Sequence, residues 1–200
     1  PRILLARKHR PTSAAVPERW DVSVGLPPDY FYYMSPLRFA ASLALGVRSA
    51  VKSGRAQGGV DLVHAIKDYP HNLLALRAAA RLGVPCVATA HGTYSVVPLL
   101  SERHAARARR TYAGLDALVA VSSYTAGRLR ELTAAGGAPK RLLTVPNAVD
   151  AAHYRAAREV GPRPWHAGPF VLTIGELKER KGIHLALEAF CRVAPRFPSL

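Results

Sequence analysis

From Asp61 onward the apolar positions fall into two alternating kinds of segment. Short runs rich in Val, Leu, Ile and Ala alternate with longer segments in which apolar residues recur every three or four positions. The first kind reads as buried strand and the second as amphipathic helix. DLVHAI, VPCVATA, ALVAVS and RLLTVP are the strands. HNLLALRAAARLG is a helix with Leu73, Leu76, Ala80 and Leu82 inward and Gly83 as its stop signal. SERHAARARRTYAGL is a helix with a basic outer face, and SYTAGRLRELTAAGG begins on a Ser cap and ends at Gly136-Gly137. HGTYSVVP reads as a turn between a strand and the basic helix. Strands alternating with helices predict an α/β domain, a Rossmann-like doubly wound parallel sheet covered on both faces. Ligands of such sheets bind beyond the carboxyl ends of the strands. The polar turns HGTY, SSYT and NAVD all fall there.

The pattern is weaker on either side. RILLA and WDVSVGLP read as two extended pieces, and PPDYFYYMSP as an aromatic loop bounded by prolines. LRFAASLALGVRSAVKSG has helical spacing through Leu37, Ala41, Leu45 and Val51, closed by Gly54. Residues 1–150 thus form one expected domain. Residues 151–168, interrupted by Pro and Gly, read as a linker. Residues 169–200 then begin again with a strand, FVLTIG, and a helix, GIHLALEAFCRVAPRF. One strand and one helix cannot bury their own apolar faces, so this second domain is expected to be incomplete.

Composition narrows the class without changing the fold. Apolar residues make up 49% and charged residues 20% of the 200, which is globular and not disordered. The formal net charge is +15, with 28 basic against 13 acidic residues and Arg outnumbering Lys. Such a surface favours phosphates, nucleic acid or an anionic membrane face as partners. Cys86 and Cys191 read as buried free thiols of a reducing compartment. No apolar stretch approaches the ~18 residues of a membrane span. The N-terminal PRILLARKHRP is too short in its apolar run for a signal peptide. A cytoplasmic protein is expected, with peripheral attachment to the inner membrane face as an extension of that reading.

Two places carry candidate chemistry. His91 ends a buried strand and is followed by Gly92 and Thr93, which sets an imidazole at the sheet's carboxyl edge. There it can orient a hydroxyl or stabilise charge; the plainer reading is a structural hydrogen bond. VLTIGELKERKGIHLALEAF runs from a strand through a charged turn to a helix N-terminus. Free N–H groups and the helix dipole favour an anion there, Gly175 permits close backbone approach, and Lys181 stands at the helix start. The plainer reading is that Lys178, Glu179, Arg180 and Lys181 solvate a loop. The basic helix carrying Arg103, Arg107, Arg109 and Arg110 could dock on anionic lipid; a solvated face is the preferred reading. Arg runs without interleaved aromatics argue against nucleic acid, and no His/Cys/Asp cluster has metal-ligand spacing.

DLVHA, LGVPCVATAHGTY, LDALVAVSSYTAGRL, LLTVPNAVD and VLTIGELKERKGIHLALEAF, in that order, resemble the retaining GT-B glycosyltransferases of family 4 over about residues 60–195. The resemblance implies two Rossmann-like domains, of which this chain holds the N-terminal, acceptor-side one and the start of the nucleotide-sugar domain. It implies transfer of a sugar from a nucleotide diphosphate sugar to a hydroxyl on a glycan, lipid or small molecule, with retention and without a metal or other cofactor. His91 matches a residue lining the acceptor pocket, and Lys181 one that neutralises the donor diphosphate. Gly92, Thr93, Ser122 and Asn147 fall along the cleft. The sequence also departs from the family. Glu176 stands where a second cation is usual, so Arg180 is the candidate replacement; Ala148 follows Asn147 where Gly is frequent. The first strand lacks its Gly-rich turn. The family's two donor-binding glutamates, eight apart, would lie past residue 200, so these 200 residues are expected to be inactive alone. Two other readings stand beside this one: a GT-B-like nucleotide-sugar epimerase, and a non-catalytic basic module that binds a phosphoryl ligand.

Overall fold

The computed structural model describes residues 35–56, 58–156 and 170–198 in full, and residues 2–6 and 21–26 by their backbone. Two compact units divide the chain, Pro1–Ala148 and Val149–Leu200. PPDYFYYMSP falls almost wholly outside the described residues, as does most of the 151–168 stretch.

The first unit contains two parallel sheets. Strands β1 (Arg2–Ala6) and β2 (Asp21–Leu26) pair with each other. Strands β3 (Val63–Ala65), β4 (Cys86–Ala90), β5 (Ala117–Ala120) and β6 (Leu142–Thr144) form a four-stranded sheet in chain order. Ala88 lies opposite Leu118, and Ala120 opposite Thr144. Helix α1 (Pro36–Ala56) precedes the sheet. The crossovers are α2 (His71–Leu82), then α3 (Thr93–Leu100) with α4 (Ala105–Ala113), then α5 (Ser123–Thr133). Parallel crossovers are right-handed, so strands laid down in one direction put all these helices on one face. The strands carry that asymmetry. In β4, Cys86, Ala88 and Ala90 are buried while Val87 and Thr89 are half-buried.

The buried face merges with the helices into one core. Ala78 and Ala79 of α2, Tyr112 of α4, Leu118 of β5 and Leu129 of α5 belong to it. Alanines along β4 and α2 let helix and sheet backbones approach closely, and the larger Tyr112, Leu118 and Leu129 fill the space between. Each buried Leu contributes roughly 1.5–3 kcal/mol over its exposed state. Asp116 ties the strand beginnings together: its carboxylate accepts from the Cys86 N–H at 2.8 Å and from Lys140 Nζ at 2.7 Å.

Several expectations change. In α1 the buried stripe is Phe39, Leu43, Val47, Ala50 and Val51, whereas Leu37 is 85% and Leu45 68% exposed. Both stripes step by four, and two residues of offset turn a helix by roughly half a revolution, so periodicity alone could not choose. The bulk of Phe39 decides it. Gly54 lies inside α1 and does not end it. In α2, Ala80 is exposed and Asn72, Leu74 and Ala79 face inward beside Leu73. HGTYSVVP is largely helical, because Thr93–Leu100 folds as α3, about two turns, with Pro98 inside it. Cys86 is buried, and that burial pushes its thiol up to about 12, with the Asp116 charge adding to the effect. Cys191 is exposed, contrary to its reading as a buried thiol, because helix α7 (Ile183–Val193) of the second unit buries no side chain among the described residues.

The second unit is mostly surface. Asp150 caps helix α6 (Ala151–Ala156), accepting from the N–H groups of Ala152 and His153 at 3.0 and 3.1 Å. A linker was expected over these six residues. FVLTIG is not a strand: Leu172 is 57% and Ile174 85% exposed, and no described neighbour pairs with its backbone. A lone extended segment has no ladder to join. A 3₁₀ turn at Glu179–Lys181 leads through Gly182 to α7 (Ile183–Val193).

Candidate functional site

At the carboxyl edge of the four-stranded sheet, the turns after β3, β4 and β5 come together. Val121 N–H donates to the Ala90 carbonyl at 3.2 Å, which carries the β4–β5 pairing to the strand ends. His91 is the next residue after β4 and is exposed. Gly92 then starts α3 at φ 112° and ψ −106°, a backbone region open only to glycine. An added Cβ on Gly92 would lie 3.7 Å from Thr125 Oγ1 of α5, so the His91 turn runs directly beside the α5 N-terminus. There Ser122 Oγ accepts from the Thr125 N–H at 3.1 Å and donates to Thr125 Oγ1 at 3.0 Å. His91, Gly92, Thr93 and Ser122 therefore share one edge. Asn147 lies two residues past the last ladder bond, from Val145 N–H to the Ala120 carbonyl, and is exposed. Among the described residues no hydrogen bond joins it to the other four.

The His91 ring is not free. Its Nε2 lies 2.7 Å from the Ile66 carbonyl oxygen, which can only accept. Nε2 therefore carries the hydrogen, and Nδ1 is left as an acceptor. The His91 backbone N–H donates to Asp68 Oδ1 at 3.2 Å, and the same oxygen accepts from Ser95 Oγ. Below them Tyr112 donates from its buried hydroxyl to the Ser95 carbonyl at 2.7 Å. Burial raises the Asp68 pKa above the ordinary carboxylate value; the Ser95 and His91 hydrogen bonds oppose that rise. Asp68 and Ser95 are absent from the sequence reading. Their signal is faint: an acid three residues past a short strand, and a serine within a stretch whose pattern reads as a turn. Neither spacing says that the two meet.

Residues 3–153 match the model of Glycosyltransferase Family 4. The chain belongs to that family. No curated protein matches it. The α/β sheet is thus the framework of a glycosyltransferase domain, which acts on sugar donors and acceptors. Among the described residues no helix is long and apolar enough to cross a membrane.

The charged turn of the second unit has its own geometry. Glu176 is held by Lys178 Nζ at 3.0 Å and Arg180 Nη2 at 3.4 Å, all three exposed. The Lys178 hydrogen bond, helped by the nearby positive charges, keeps the Glu176 carboxyl below its ordinary range. Lys181 is the last residue of the 3₁₀ turn, and Gly182 takes the left-handed φ of 64° before α7 begins. At Gly175 an added Cβ would meet only Ile183 Cδ1, at an ordinary 3.5 Å. Lys181 and Arg180 thus stand at a helix start, with Arg180 already leaning on a carboxylate.

The basic helix is partly committed to the fold. The Arg107 guanidinium sits 5.1 Å over the Phe39 ring, and Arg109 Nε donates to the Leu132 carbonyl at 3.3 Å. Arg103 precedes the helix, and those contacts draw two of the three arginines within α4 toward the protein.

Proposed function

We propose that this glycosyltransferase moves a sugar from a nucleotide diphosphate sugar to an acceptor hydroxyl with retention of configuration. The observation that carries the reading is His91, exposed at the sheet's carboxyl edge with its Nδ1 left as the free acceptor. In the neutral ring Nδ1 accepts a hydrogen bond from a hydroxyl of the bound sugar or acceptor; a protonated ring would lose that acceptor and repel positive charge. The neutral ring orients that hydroxyl without repelling an oxocarbenium-like sugar. Gly92, Thr93 and Ser122 line the same edge, and Asn147 extends it.

In this reading Lys181 and Arg180 take the donor diphosphate, aided by the free N–H groups at the start of α7, and no metal is required. Glu176 opposes that role by holding Arg180, so a diphosphate must compete with it for the guanidinium. The acceptor is a glycan, a lipid or a small molecule bearing a hydroxyl.

The test is thermal protection of the chain by a panel of nucleotide diphosphate sugars, repeated with Lys181→Ala, Arg180→Ala and Glu176→Gln. Protection lost with Lys181→Ala and weakened with Arg180→Ala supports the donor assignment, and Glu176→Gln should tighten binding a few-fold. Protection unaffected by the first two variants would reject Lys181 and Arg180. Binding of inorganic diphosphate equal to that of every nucleotide sugar would favour the non-catalytic phosphoryl-binding reading. Interconversion of the free nucleotide sugar without an acceptor would favour the epimerase.

A further inference from the structure

We propose that Asp68 is a positioning residue for His91: its carboxylate holds the main chain of the β4–α3 turn, so that the Ile66 carbonyl two residues earlier receives the imidazole Nε2–H and fixes its tautomer.

Three observations converge on this. Asp68 Oδ1 accepts from both the His91 N–H and Ser95 Oγ, which spans the first turn of α3 with one atom. The Ile66 carbonyl belongs to the same β3–α2 turn as Asp68 and takes Nε2 at 2.7 Å. One three-residue stretch, Ile66–Asp68, therefore grips His91 at its backbone and at its ring. The third observation is the support beneath: Ser95 is buried, its carbonyl is fixed by the Tyr112 hydroxyl, and Tyr112 is fully enclosed by the core. A carboxylate placed on such a rigid base can define where the following ring stands. A surface carboxylate at the same spacing could not, because neither of its donors would be immobile.

The chemistry follows from which ring nitrogen is exposed. With Nε2–H given to Ile66, the substrate edge meets an acceptor, Nδ1. Were the turn to slip, the ring would sample both tautomers and rotate, and a fraction of the molecules would present an N–H donor to the same hydroxyl. Asp68 acts on the reaction through His91 and does not itself touch substrate.

This inference rests on the proposed role of His91 only for its effect on catalysis; the tautomer is a property of the chain alone. The first measurement is therefore the ring nitrogen spectrum of the ¹⁵N-histidine-labelled chain, with His91 assigned by comparison with His91→Gln. Wild type should show a single Nε2–H tautomer at His91. Asp68→Ala should give averaged or mixed tautomers, and Asp68→Asn, which keeps an acceptor oxygen in place, should restore the wild-type spectrum. A merely structural carboxylate would lower stability without moving those shifts. An unchanged His91 tautomer in folded Asp68→Ala overturns the proposal. Should Asp68→Ala not fold, the wild-type spectrum decides: an Nδ1–H or freely averaging ring overturns the proposal, and a fixed Nε2–H ring supports it. The second measurement is sugar transfer by the enzyme, where Asp68→Ala should lower kcat roughly tenfold with little change in KM. A tautomer that shifts as expected while transfer is unaffected would leave Asp68 in place as the positioner and remove His91 from the reaction.

Discussion

Two turns of this protein, one polar and one charged, repeat one sequence pattern, apolar run, turn, helix, with opposite physical outcomes. After β4, His91 and Gly92 lead into α3 over a buried base of Ser95 and Tyr112; the His91 N–H is held by Asp68 and the Ser95 carbonyl by a hydroxyl enclosed in the core. After FVLTIG, the Glu176–Lys181 turn has exposed apolar residues behind it, and its charges pair with one another. The difference shows what a core gives a site. It fixes the backbone first, and the side chains then have a single place to stand. Without it, Glu176 binds the nearest cations, Lys178 and Arg180, in high-dielectric surroundings where such pairs are weak and easily exchanged. The first turn is built to orient; the second is built to be recruited by a stronger anion.

The sharpest way to break that contrast is to remove one large apolar side chain from each unit. Leu118 is 1% exposed in the sheet, and Leu118→Ala should destabilise the chain by about 3 kcal/mol in a urea titration. Leu187 in α7 is 62% exposed, and Leu187→Ala should change the midpoint by no more than about 0.5 kcal/mol. Equal effects would mean that α7 is buried as deeply as the sheet, against the exposure described for it.

Glycine substitutions come next in size. Gly92→Ala forces an L residue into a glycine-only conformation and should cost about 1–3 kcal/mol, with loss of the His91 geometry. Gly175→Ala meets only ordinary contact and should leave stability unchanged within about 0.5 kcal/mol. A fall in nucleotide-sugar protection by Gly175→Ala at unchanged stability would then report a ligand that approaches the backbone there.

The smallest effect concerns pH. Burial raises the Asp68 pKa, so between its ordinary 3.8 and the raised value the folded chain binds more protons than the unfolded one. Stability contributed by this group therefore falls as the pH rises through that window. Asp68→Asn cannot ionise, and its Tm should exceed that of the wild type at pH 7, with the gap closing below pH 3.8. A lower Tm for Asp68→Asn at pH 7 would mean that the hydrogen bonds to the charged form outweigh its burial. Keeping an acid that weakens the fold at neutral pH fits a residue retained for the turn it holds.

Much of this was legible in the chain. The strand order from β3 to β6, the Gly83 stop and the placement of His91 at a strand end follow from local periodicity and turn chemistry, whereas the α5 cap is Ser122, one residue before the Ser123 at which the pattern starts that helix. Three things were not legible, and for different reasons. The inward face of α1 was ambiguous because Leu37–Leu45 and Phe39–Val47 are equally good stripes until something packs against one of them. FVLTIG looked like a strand because its composition suits one, yet a strand exists only when a neighbour completes its hydrogen bonds. The clamp on His91 was invisible because Asp68 and His91 stand 23 positions apart, and no periodicity links an acid after one strand to a histidine after the next.

By itself, then, the sequence determined which residues could reach the ligand edge: alternation of buried strands with capped helices is a local property, written in neighbouring side chains. Only the tertiary structure decided what those residues do on arrival. Parallel pairing of β3 with β4 sets the ends of two distant strands side by side, and that juxtaposition gives the His91 ring a carbonyl to bond and its backbone a carboxylate to lean on. Contacts between strand ends depend on register across the sheet, a quantity that no single segment of the chain contains.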